Sequence, residues 1–128
     1  MKTPCWFYLI EGGTWPYDVI VALGPTEDEF FKYCEKRFSH PFTEDEKASF
    51  AFEGKKGRTL RLGNNAIVIW MPVIPQNAQE IGNLAHEIYH AAYLMLTGAG
   101  VVPSNDSDEA FAYQIDFLTR KIWQRYFF

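Results

Sequence analysis

Cysteine is scarce: Cys5 and Cys34 are the only two in 128 residues. Two are too few for a disulfide framework, and no C-x-x-C spacing marks a thiolate metal site. Cys5 falls at the start of a predicted strand and Cys34 inside a predicted helix, so both read as buried thiols. Also missing is any apolar run near the roughly 18 residues that span a bilayer. The N-terminus lacks the basic, apolar and small-residue order of a signal peptide. These absences predict a cytoplasmic protein with no membrane partner. Charge of one sign is not in excess either, because a formal net charge of −4 leaves no electrostatic footprint for nucleic acid. Five of the twelve basic residues lie between Lys47 and Arg61. Interleaved with Glu53 in a predicted hairpin, they read as a solvated tip, and no nucleic-acid partner is expected.

What is present suffices for one domain covering residues 1–128. A chain of this length buries a real core without staples, and aromatics at 17% supply bulk for it. Trp6 to Ile10 and Tyr17 to Leu23 are apolar runs of strand length, punctuated by Gly12-Gly13 and Pro16. Thr26 with Glu29 three later forms a capping box, predicting a helix to about Phe38. His40 precedes Pro41 and reads as a loop residue, and the acidic stretch Thr43 to Lys47 as one short turn. Ser49 to Glu53, a Gly54-Lys55-Lys56-Gly57 turn and Arg58 to Leu62 are predicted as a hairpin. After Gly63-Asn64-Asn65 comes Ala66 to Met71. The first 45 residues carry no chemistry and read as scaffold.

Histidine is the informative scarce residue. There are three histidines, and two stand in Gly82-Asn83-Leu84-Ala85-His86-Glu87-Ile88-Tyr89-His90, an H-E-x-x-H pattern. Ile81, Leu84, Ala85, Ile88, Ala92 and Leu96 recur at helical spacing and predict one buried side. Asn83, His86, His90 and Tyr93 share a different side. Residues four apart stack on one helix face, so His86 and His90 can offer two imidazoles to a single metal ion. Glu87 is placed to take a proton from water at that metal. This points to Zn2+ as the cofactor and to metal-assisted hydrolysis.

A third ligand is expected from the last helix, opened by Ser104 to Asp108 and striped by Phe111, Ile115, Leu118, Ile122 and Tyr126. Glu109 lies in its first turn, with 18 residues between it and His90. Glu109 also suits a capping box with Asp106, and Asp108 and Asp106 are rival ligands. Asp116 could accept the second ring N–H of a ligating histidine and fix its orientation, as could Asp108. Tyr113, Tyr93 or Tyr89 could donate to an oxyanion. Ile67, Val68, Ile69 and Trp70 lie just upstream of the metal helix. As an edge strand they would pair with an extended peptide; as a covered inner strand they would not. The composition of the run fits both.

His86-Glu87-x-x-His90 with Glu109 in Ser107-Asp108-Glu109-Ala110-Phe111-Ala112-Tyr113 resembles the gluzincin branch of the zincin metallopeptidases. It is most similar to small members from phages and bacteria, the ImmA/IrrE-like proteins among them. The resemblance covers roughly residues 66 to 118. The elements read along the chain make an α+β domain, a small antiparallel or mixed sheet of about five strands packed by three helices. The resemblance implies that it is zincin-like, with the metal on the H-E-x-x-H helix. It also implies zinc on His86, His90 and Glu109, with Glu87 as general base, and a peptide or protein substrate. Longer gluzincins carry an Asp four residues after the ligand Glu, where this chain has Tyr113. No third downstream histidine is present, which departs from the metzincin pattern. A non-catalytic metal-binding or regulatory protein on the same scaffold is the alternative.

Overall fold

Among the described residues four strands form one mixed sheet, and its order follows from which runs are apolar throughout. The computed structural model describes residues 6–11, 15–39, 41–63 and 65–127. Cys5, Gly12-Gly13, His40 and Asn64 lie outside the described residues, as does the side chain of Tyr126. The strands are β1 (Trp6–Ile10), β2 (Asp18–Leu23), β3 (Arg58–Leu62) and β4 (Ala66–Met71), in the order β1-β2-β4-β3. β1 and β3 run antiparallel to their neighbours, while β2 and β4 are parallel.

The central strands are buried on both faces, which explains their unbroken hydrophobicity. Val19, Val21, Leu23, Ile67, Ile69 and Met71 face one core, while Ile20, Ala22, Val68 and Trp70 face the other. Helices α3 (Ala78–Gly98) and α4 (Asp108–Phe127) cover the first face. The second is covered by α1 (Glu27–Phe38), α2 (Glu44–Phe50) and an aromatic cluster of Phe30, Phe31, Phe42, Phe50 and Phe52. Within that cluster Phe52 stacks on Trp70 with ring centroids 4.3 Å apart.

The class is therefore α+β, with four strands and four helices among the described residues where about five and three were expected. The difference arises between residues 43 and 53. The acidic stretch is not a single turn: the Thr43 hydroxyl accepts from Glu46 N–H and the Glu46 carboxylate from Thr43 N–H, closing a capping box that starts α2. Ser49 to Glu53 is not a strand. Ala51 at φ 51° ends α2 in the left-handed region, which turns Phe50 and Phe52 into the aromatic cluster, and Arg58 Nε donates to the Phe50 carbonyl at 3.0 Å. The hairpin partner of β3 is β4.

This topology also decides the position of β4. Paired to β2 on one side and β3 on the other, it is the covered inner strand. Ile67, Val68 and Ile69 are 0% exposed and Trp70 is 4% exposed, so none offers backbone to a substrate. The strand at the sheet edge beside α3 is β3.

Candidate metal centre

Helix α3 begins at Asn77, whose Oδ1 accepts from Glu80 N–H at 2.9 Å, a cap that satisfies one of the free first-turn donors. Its buried side is Leu84, Glu87, Ile88, Ala91, Ala92, Met95 and Leu96. Two members of the expected stripe fall outside it, since Ile81 is 43% exposed and Ala85 is also exposed. The phase of the helix is thus turned slightly, towards Glu87 and Ala91. The turn leaves His86 and His90 on the exposed side and brings Glu87 under the sheet.

The two histidines converge. His86 Nε2 and His90 Nε2 stand 3.0 Å apart, with ring planes at 80°. Two nitrogens each about 2.0–2.1 Å from a tetrahedral zinc would lie about 3.4 Å apart. At 3.0 Å the two nitrogens are within hydrogen-bond distance, one Nε2–H facing the other's lone pair. To take two positions of such an ion the pair would open slightly, with both protons on Nδ1. A groove of about 500 Å³ opens beside His90, walled by Lys55, Thr59 and Tyr93, and a second of about 370 Å³ lies beside Gln79 and Asn83. Gly57, His86 and Glu87 line both.

Glu87 is held by β3. Thr59 Oγ1 donates to Glu87 Oε1 at 2.7 Å and approaches the Glu87 carbonyl at 3.0 Å. A Cβ built on Gly57 would come within 2.9 Å of Glu87 Cγ and of Met71 Sδ. Gly57 is thus a close-approach glycine, rather than only the end of a turn. Thr59 and Gly57 were not singled out in the sequence. The available signal was the parity of β3, which puts Thr59 and Arg61 on one face, but the partner of that face is set by tertiary packing.

The other expected site residues are dispersed. Glu109 and Asp108 are exposed in the first turn of α4 and do not line the groove. Ser107, rather than Asp106, precedes that helix, its carbonyl accepting from Ala110 N–H. Among the described residues no group of three or more His, Cys, Asp or Glu is gathered closely enough to hold a metal ion. Two of the three expected ligands are brought together, and the third carboxylate is not. The first turn of α4 does lie beside the histidine face, since the Tyr93 and Phe111 ring centroids are 6.1 Å apart.

Tyr93 lines the groove next to His90. Tyr113 is 69% exposed and does not line the groove. Asp116 is engaged elsewhere: Arg120 Nε and Nη2 each lie 3.0 Å from its Oδ2, one turn along an exposed face. It does not orient either histidine.

No protein-family model, curated protein or solved structure gives a significant match to the chain.

Proposed function

We propose that this protein is a small zinc-dependent peptidase of zincin-like construction. The observation that carries the reading is the convergence of His86 Nε2 and His90 Nε2 at 3.0 Å, with the Glu87 side chain lining the same groove. His86 and His90 would hold the ion. Glu109 is the carboxylate proposed to complete the set, supported by its place two residues before Phe111, which touches Tyr93. Bound zinc would supply the Lewis acidity that lowers the pKa of water to about 7 and polarises a scissile carbonyl. Glu87 accepts the proton of the attacking water and passes it to the leaving amine. Strand β3 pairs only with β4 among the described strands, and its outer edge is the surface that would align an extended peptide. Tyr93 stands where a phenol could donate to the developing oxyanion.

Replacing Glu87 by Gln tests this. The variant keeps the fold and the zinc but loses cleavage of casein or of a mixed quenched-fluorescent peptide pool. Undiminished cleavage would remove Glu87 as the base. A second reading, a non-catalytic metal-binding or regulatory protein, draws on the two-donor set: zinc bound with no hydrolysis of any peptide would favour it.

A further inference from the structure

Burial separates Glu87 from its neighbours on α3. His86 and His90 are exposed, whereas Glu87 is 8% exposed, and a carboxylate withdrawn from water needs hydrogen bonds to hold it. The Thr59 hydroxyl supplies one at 2.7 Å, reaching from edge strand to helix. Its second approach, 3.0 Å from the Glu87 carbonyl, fixes the same hydroxyl over the backbone of the residue it restrains. Gly57 leaves the room this arrangement needs, because a Cβ built there would come within 2.9 Å of Glu87 Cγ. A glutamate has three side-chain torsions, each with alternative wells. The Thr59 hydrogen bond on Oε1 limits where the carboxylate can go.

We propose that Thr59 is the positioning residue for Glu87, fixing its carboxylate in one rotamer within the groove, with Gly57 providing the necessary room. This rests on the peptidase reading for its purpose, but not for its geometry. Thr59 touches no reacting atom; it acts through Glu87. It also belongs to the edge strand proposed to align the substrate, so base and substrate share one rigid frame.

The test uses the full chain, with and without added zinc, carrying 13C-labelled glutamate. Side-chain couplings of Glu87 report one rotamer in wild type and in Thr59→Ser, and an average over several in Thr59→Val. With zinc and the quenched-fluorescent peptide pool, Thr59→Val lowers kcat about tenfold or more with KM little changed, and Thr59→Ser recovers most of the loss. A single Glu87 rotamer in Thr59→Val together with wild-type kcat overturns the proposal. If zinc-loaded wild type holds one rotamer yet cleaves nothing, the peptidase reading fails instead, and the rotamer comparison still decides whether Thr59 is the holder.

Discussion

His86 and His90 meet Nε2 to Nε2 at 3.0 Å on the exposed side of α3, one helical turn apart. Between them in sequence, Glu87 turns the other way and is buried beneath β3. A short motif thus divides its residues between solvent and sheet, and both halves border one groove. The helix supplies the separation and the edge strand supplies the hold.

Two glycines near this groove predict opposite outcomes. Gly57→Ala forces a Cβ to within 2.9 Å of Glu87 Cγ and Met71 Sδ, and overpacking of this kind destabilises by about 1–3 kcal/mol. Gly82 sits inside α3 with nothing within 4 Å of a built Cβ. Gly82→Ala therefore stabilises by roughly 0.5–1 kcal/mol. Urea denaturation of both variants checks the pair, and an equal effect on stability would contradict the geometry.

The aromatic cluster on the far face is predicted to be a stability element. Phe30 is 0% exposed and meets Phe50 and Phe52 edge-on, with centroids 5.8 and 5.3 Å away. Phe30→Ala is expected to lose about 3–5 kcal/mol. Thermal or urea unfolding reads this directly, and a change below about 1 kcal/mol would mean the cluster is not packed as described.

Cys34 is predicted to be inert in the folded chain. Burial, with a smaller contribution from the charge of Glu35, pushes its thiol from 9.0 up to about 12, and the thiolate is the reactive form. Iodoacetamide at pH 8 should leave Cys34 unmodified in native protein and label it in urea, as read by peptide mass mapping. The same shift sets a sign for stability. The folded state favours the protonated thiol, so this contribution is intact below about pH 9 and is lost as pH rises towards 12. The alkaline fall in stability should be shallower in Cys34→Ala than in wild type.

Much of this arrangement was legible in the sequence wherever a local rule carries it. The box of Thr26 and Glu29 starts α1 as expected, and Ala66 to Met71 is a strand with the expected bounds. The H-E-x-x-H spacing brings two imidazoles together because a helix does so by itself. What escaped depends on distant residues. Which face of β3 meets α3, and hence the roles of Thr59 and Gly57, follows from strand order rather than from composition. α2 escapes as well, although Thr43 and Glu46 carry the same box as Thr26 and Glu29, because so short an acidic segment suits a turn equally. The positions of Glu109 and Asp116 depend on how α4 is rotated, and that rotation is set by Phe111, Gln114, Leu118 and Ile122 together. Buried Gln114, whose Nε2 donates to Met95 Sδ at 3.4 Å, does not register in an apolar stripe.

The central claim is that the histidine pair holds a metal ion, and metal content by mass spectrometry tests it most directly. Wild type, loaded with zinc and dialysed, should carry about one zinc per chain, and His86→Ala and His90→Ala should each lose it while remaining folded. Loss in Glu109→Ala as well would identify the third ligand; retention would pass that role to Asp108 or Asp106. Wild type that retains no zinc, or histidine variants that retain as much as wild type, would contradict the account.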